Sequence, residues 1–196
     1  MLKGPVRIGV VGAGYLGSIH ARIFSRLSDV KLVGVADINP IVGQAVANQY
    51  GTAFVSDGRE LINKVDAVTV AVPTSSHREV SESFLAAGIP VMLEKPIAHT
   101  LNDAESIVDL AESNGCLLQI GHLERFNAGV ERLHQELKRP RFIEVHRLGE
   151  FVERAADVDV VTDLMIHDID IVLSLVEAQL TYVSAVGARI VTAHVD

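Results

Sequence analysis

The sequence predicts an α/β protein, a doubly wound parallel sheet followed by the start of an α+β unit. Three observations carry this. The apolar run Val6–Val11 leads directly into Gly12-Ala13-Gly14-Tyr15-Leu16-Gly17, and a second run, 31–36, ends on Asp37. Apolar segments without internal alternation then take turns with helical segments as far as Gly121, the pattern of strands covered on both faces. Beyond Gly121 the pattern changes to helices and alternating segments.

In the first part, strands are predicted at 6–11, 31–36, 53–55, 67–72, 91–93 and 117–121, with helices at 15–27, 41–50, 58–63, 76–87 and 101–113. Gly88 and Asn114-Gly115 stand directly after two of these helices, where a left-handed residue closes the last turn. In the second part, a helix at 124–138 ends before Pro140. A strand at 141–152 alternates Phe142, Ile143, Val145, Leu148 and Phe151 with Glu144, His146, Arg147 and Glu150. A loop at 153–161, a helix at 162–176 and a strand at 182–191 follow. The expected division is a nucleotide-binding domain at 1–122 and an incomplete α+β domain at 123–196. Such elements do not close a second domain, so the chain is expected to continue in a longer protein, or else to be completed by a partner chain.

Each glycine of the turn has a predicted role. Gly12 permits the tight turn, Gly14 lets backbone amides approach a pyrophosphate, and Gly17 lets the helix pack closely on the sheet. The helix N-terminus offers unsatisfied N–H groups and partial positive charge to phosphates. With strands on both sides and an acid after the second, the turn predicts dinucleotide binding rather than a plain strand-to-helix connection. A carboxylate at Asp37 accepts both hydroxyls of an adenosine ribose and repels a 2′-phosphate, and Ile38-Asn39-Pro40 brings no cation. NAD is therefore expected, with NADP disfavoured. The other use for Asp37 is as cap of the helix beginning near Pro40.

Composition narrows the class. The chain has 196 residues, 48% hydrophobic and 21% charged, with mean hydropathy +0.30, enough for a substantial core. A net charge of −8 and a pI near 5.4 argue against nucleic acid or an anionic membrane as partner. No apolar run reaches membrane-spanning length, and 6–17 lacks the small-residue cleavage site of a signal sequence. One cysteine, Cys116, allows no internal disulfide, which predicts a reduced, cytoplasmic protein.

Three further clusters carry chemistry. Ala71-Val72-Pro73-Thr74-Ser75-Ser76-His77 lies at the C-terminal end of the fourth strand, facing the ligand crevice of a doubly wound sheet. There Thr74 and His77 are candidate cofactor contacts, and Ser76 is a candidate cap for the next helix. Glu94-Lys95-Pro96 ends the fifth strand, and Pro96 forces Lys95 out of helical geometry. A lysine so placed orients a hydroxyl or stabilises an alkoxide, although a lone Lys-Pro at a strand end is otherwise ordinary surface. Asp163 and His167 lie one helical turn apart with Asp170 continuing the stripe, on a helix whose other directions are apolar and which is expected to be largely buried. A histidine held by a carboxylate suits a general base; a core histidine satisfied by its neighbours fits the same spacing, and metal ligation has no second histidine on that face. No metal is expected. Arg147, Arg154 and Arg189 are read as solvated cations rather than phosphate contacts.

Taken in order, the glycine turn, Asp37, the Ala71-to-His77 loop, Glu94-Lys95-Pro96, Gly121-His122-x-x-Arg125-Phe126-Asn127 and Asp163-x-x-x-His167 resemble the Gfo/Idh/MocA family of glucose–fructose oxidoreductases and inositol dehydrogenases. Ala128 stands where many members have proline, and the family's later sheet strands are absent. The resemblance implies a Rossmann domain followed by an α+β domain with an open mixed sheet that commonly mediates dimers or tetramers. It implies Lys95 as catalytic lysine, often preceding a cis proline, with Asp163 and His167 completing the catalytic set. It implies cofactor contacts from Gly12, Ala13, Gly14, Tyr15, Leu16, Gly17, Asp37, Val72, Pro73, Thr74, His77, Glu94, Lys95 and His122. The run from His122 to Asn127 and residues 157–170 look like the branch that oxidises UDP-N-acetylglucosamine at its 3-hydroxyl. The expected function is therefore NAD-dependent oxidation of a secondary hydroxyl on a sugar or nucleotide sugar, by a homo-oligomer assembled through the C-terminal sheet. The alternative is a non-catalytic NAD-sensing regulator of the same fold.

Overall fold

The computed structural model describes residues 4–148, 159–190 and 195, in two compact units, Met1–Gly121 and His122–Asp196. In the first, β1 (Val6–Val11), β2 (Val30–Ala36), β3 (Ala53–Val55), β4 (Ala67–Val70), β5 (Val91–Leu93) and β6 (Leu118–Ile120) form one parallel sheet of order β3-β2-β1-β4-β5-β6. The order reverses between β1 and β4, and the ligand crevice of such a sheet lies at the strand ends there. The crossovers are α1 (Tyr15–Phe24), α2 (Pro40–Tyr50), α3 (His77–Leu85) and α4 (Leu101–Ser113).

The uninterrupted apolar strands are explained by two cores, one on each face. Successive residues of β1 and β2 go to opposite sides: Val10 and Val35 join the cluster under α1 and α2 with Ala21 and Ala47, while Val11 and Ala36 join the cluster with Phe84, Leu85, Leu93 and Ile107. Phe84 and Leu85 are 1% and 0% exposed, each removing from water an apolar surface worth about 1.5–3 kcal/mol. Gly88 and Gly115 take positive φ after α3 and α4, as the sequence signals, and Gly51 does the same after α2.

Some expectations change in the structure. The helix expected at 58–63 is a 3₁₀ turn, Gly58–Leu61, started by the Asp57 carboxylate accepting from Arg59 N–H at 2.9 Å. Ser76 sits before α3, but its side chain makes no capping bond. In the second unit the helix expected at 124–138 divides. A 3₁₀ turn, Leu123–Phe126, is followed by α5 (Ala128–Glu136), because Asn127 turns extended and accepts from Gly129 N–H at 2.9 Å. The helix expected at 162–176 consists of a π-helical turn, Val161–Met165, continued by α6 (Ile166–Leu175). It is half-buried rather than largely buried, with Met165 45%, Ile169 42% and Leu173 56% exposed. The expected strands at 141–152 and 182–191 form no strand at 141–148 or 182–190, and 149–152 and 191 lie outside the described residues, as do 153–158. Alternation marks a face, but a strand exists only where a ladder partner takes its N–H and C=O groups. Their apolar positions are open, Phe142 at 81%, Leu148 at 95% and Tyr182 at 79%. Among the described residues no helix is long and apolar enough to cross a membrane.

Candidate active site

The glycine turn is built by its neighbours. Gly12 has φ +91°, and a Cβ there would collide with the Ala71 carbonyl, since Gly12 N–H reaches across to Ala36 O at 2.8 Å while Ala71 N–H donates to Val11 O. Gly17 lies directly against the Gly12 carbonyl, so both positions exclude any side chain for reasons internal to the protein. Gly14 differs. Its φ of −64° is ordinary, and a Cβ there would meet no protein atom within 4 Å. The space it leaves open belongs to a cleft of about 640 Å³, also lined by Gly12, Asp37, Val72 and Pro73. No side chain caps α1 and no acid lies in its first turn. A helix end left uncapped beside a glycine that only an occupant would require fits a bound pyrophosphate.

Asp37 closes one side of the turn. Its Oδ2 accepts from Ala13 N–H at 2.6 Å and its Oδ1 from Asn39 N–H at 2.7 Å. It does not cap α2, the alternative use weighed for it. Asn39 does so, with Oδ1 accepting from Ile41 N–H at 3.0 Å. The acid thus fastens the glycine turn to the tip of β2. Ala13 is 2% exposed, whereas Tyr15 and Leu16 stand 68% and 40% exposed on the first turn of α1.

At the C-terminal ends of β4 and β5, Thr74 is half-buried at the start of a 3₁₀ turn, Thr74–Ser76, and Lys95 is half-buried ahead of a cis bond to Pro96. His77 has turned away from the cleft. It is 1% exposed and lies between the β4 loop and the lysine loop, with Nδ1 2.9 Å from Pro96 O and Nε2 3.0 Å from Val72 O, and the neutral ring donates to one of these carbonyls at a time. Burial pushes its pKa below the usual histidine value against the pull of those carbonyls.

Glu94, expected among the cofactor contacts, is instead turned toward two residues the sequence reading does not single out, His20 and Thr69. Glu94, 5% exposed, places Oε1 3.0 Å from Nε2 of His20, 6% exposed, whose Nδ1 is 2.8 Å from Thr69 Oγ1. A Cβ at Gly121 would come within 2.9 Å of Glu94 Oε2. The buried carboxylate therefore links the helix of the glycine turn with β4, β5 and the end of the first unit. Thr69, a polar residue in the middle of an apolar strand, is the sequence signal that a buried partner such as His20 stands beside it.

The second unit gathers its own motifs. The Arg125 guanidinium grips Asp170 through Nε at 2.8 Å and Nη2 at 2.6 Å, and His122 Nδ1 lies 3.9 Å from the same carboxylate. Arg125, then His122 and His167, hold the Asp170 carboxyl below the usual range against the opposing effect of burial. His122, Arg125, His167 and Asp170 thus form one cluster. Asp163 lies in the π-helical turn, a feature frequent at functional sites, and His167 in the first turn of α6; both are half-buried. Arg147, read as solvated, is paired with Asp168 through bonds of 2.7–2.9 Å; Arg154 lies outside the described residues.

A parallel sheet of this order, with a glycine turn, an acid fastened beside it and a lysine at a neighbouring strand end, defines a dinucleotide-binding α/β protein. Residues 6–122 match the sequence profile of the Gfo/Idh/MocA oxidoreductase family, NAD-binding Rossmann fold. The chain belongs to that family, and NAD is its cofactor. UDP-N-acetylglucosamine 3-dehydrogenase of Acidithiobacillus ferrooxidans is 36% identical over 192 residues, 97% of this chain and 61% of that protein. Its crystal structure superposes with a TM-score of 0.92 at 35% identity, covering 100% of this chain and 64% of the other. The inositol 2-dehydrogenase/D-chiro-inositol 3-dehydrogenase of Shouchella clausii is 36% identical over 85% of this chain and 51% of its own length. GenD2 from gentamicin A biosynthesis, solved in complex with NAD, gives a TM-score of 0.65 at 26% identity, covering 69% of this chain and 39% of that one. The chain spans less than two thirds of the length of each of these proteins.

Proposed function

We propose that the protein is a dehydrogenase that oxidises a secondary hydroxyl of a sugar or nucleotide sugar, with the 3-hydroxyl of UDP-N-acetylglucosamine the first candidate. The observation that carries this reading is the 36% identity to a UDP-N-acetylglucosamine 3-dehydrogenase along 97% of the chain, joined to a fitting cofactor cleft. When bound, NAD supplies the hydride acceptor. Loss of hydride from the carbinol carbon leaves a carbonyl only if the hydroxyl proton departs as well, and this chain offers a base and a cation for that oxygen. His167, oriented by Asp163, takes the proton. The Lys95 ammonium donates to the same oxygen and stabilises the negative charge developing there. The same reading expects a cytoplasmic homo-oligomer assembled through the second unit.

The test uses full-length protein with NAD and a panel of UDP-sugars, free sugars and inositols, followed at the absorbance of the reduced nicotinamide. UDP-N-acetylglucosamine is expected to give the highest kcat/KM. Lys95→Met is expected to lower kcat by about a hundredfold or more, while NADH binding, read by fluorescence, persists. Near-normal turnover in that variant removes Lys95 from the mechanism. NADH binding without reduction of NAD by any substrate of the panel makes the chain a cofactor sensor instead.

A further inference from the structure

The cleft beside Asp37 contains a cation that the tip of β2 lacks. It comes from β3, which ends at Val55 and passes through Ser56 and Asp57 into the turn Gly58–Leu61. Asp57 and Arg59 line the same cleft as Gly12, Gly14 and Asp37. The Arg59 side chain folds back on Asp57, with Nε 3.0 Å from both carboxylate oxygens and Nη2 2.7 Å from Oδ2. The carboxyl of Asp57 is lowered and the guanidinium of Arg59 raised by this mutual contact.

A guanidinium on the adenosine side of a dinucleotide cleft is the group that accommodates a ribose 2′-phosphate. Here that cation is already matched by a carboxylate, so the pair presents no net positive charge to offset the negative one at Asp37. The pair is open to solvent, with side chains 67% and 43% exposed, and exposed ion pairs contribute little to stability. A doubly charged phosphate is the stronger bidentate partner once the carboxylate is gone.

We propose that Asp57 is a specificity-determining residue which, by holding Arg59, keeps that guanidinium from a 2′-phosphate and the cleft selective for NAD over NADP. The proposal rests on the cofactor assignment and not on the choice of sugar. Its test is binding rather than turnover: dissociation constants of NADH and NADPH for the full-length protein, measured by nicotinamide fluorescence. Asp57→Asn keeps a side-chain oxygen for the Arg59 N–H and removes the charge. It is expected to lower the ratio Kd(NADPH)/Kd(NADH) about tenfold, the scale of one charge-assisted contact regained. Adding Arg59→Ala removes that fall, and adding Asp37→Ser deepens it. An unchanged ratio in Asp57→Asn overturns the proposal, since a residue that only starts the 3₁₀ turn affects both cofactors alike. A rise of the ratio in Arg59→Ala alone also overturns it, because Arg59 would then already serve the phosphate. If the unaltered protein binds neither NADH nor NADPH, the cofactor assignment fails and the proposal with it.

Discussion

His20 and Glu94 face one another at 6% and 5% exposure, and the energetics of such a pair are asymmetric. Taking a carboxylate out of water costs several kcal/mol, which the histidine ring repays only while it stays in place, with Thr69 holding its other nitrogen. Removing the ring leaves the acid buried without its ion partner. His20→Leu is therefore expected to destabilise the first unit by about 3 kcal/mol or more, whereas Glu94→Gln, which removes the charge and keeps the shape, is expected to cost about 1–2 kcal/mol. Urea midpoints of the two variants check this order. Equal losses would show that the charge of Glu94 does not depend on His20. At this scale the glycine turn and Asp37 were legible because their spacing is local and each residue type has a backbone reason. His20 was not legible, since its partner Thr69 lies 49 residues away and nothing nearby in sequence marks the ring as buried.

The elements show where local signals suffice. Every strand of the first unit coincides with a predicted apolar run, β2 starting one residue earlier at Val30, because a strand covered on both faces needs no information beyond its own composition. At helix α2 the cap is a residue the sequence reading does not weigh: Asp37 is the one cap candidate there, and the structure gives the cap to Asn39, two positions on, and the glycine turn to Asp37. Asn39→Ala is accordingly expected to cost about 1 kcal/mol of stability, with the larger loss of NADH affinity reserved for Asp37→Ala. Thermal melts and NADH fluorescence on the two variants separate the roles, and an Asn39→Ala variant as stable as the parent would refute the cap. Strands fail in the second unit, at 141–148, where the prediction rests on period-2 alternation, and at 182–190. Alternation specifies a face, whereas pairing depends on residues far away in the chain, and that information is not present in the segment itself.

For the whole molecule, acid stability combines terms of opposite sign. Arg7 holds the Asp66 carboxyl at about 2, and guanidinium partners lower Asp57, Asp103 and Asp170 as well. Each of these carboxyls is less basic folded than unfolded. Their stabilisation is complete above the ordinary carboxylate value of about 4 and disappears as pH falls through the folded values. His77 acts earlier. Burial lowers its folded pKa, so below about 6.5 the unfolded chain takes up a proton that the native ring refuses, and stability falls over that interval. Meanwhile the net charge of −8 at pH 7 is neutralised toward the pI near 5.4, which relieves self-repulsion and favours the compact state. A melting curve of the parent protein alone therefore cannot apportion the change, but a substitution at residue 77 can. His77→Gln keeps amide donors for the Val72 and Pro96 carbonyls and does not titrate. It is expected to melt below the parent at pH 7.5, with the gap narrowing by pH 5.5 as the parent loses the His77 contribution. Parallel melting temperatures for the two proteins across that interval would show that protonation of His77 is not what weakens the fold on the acid side.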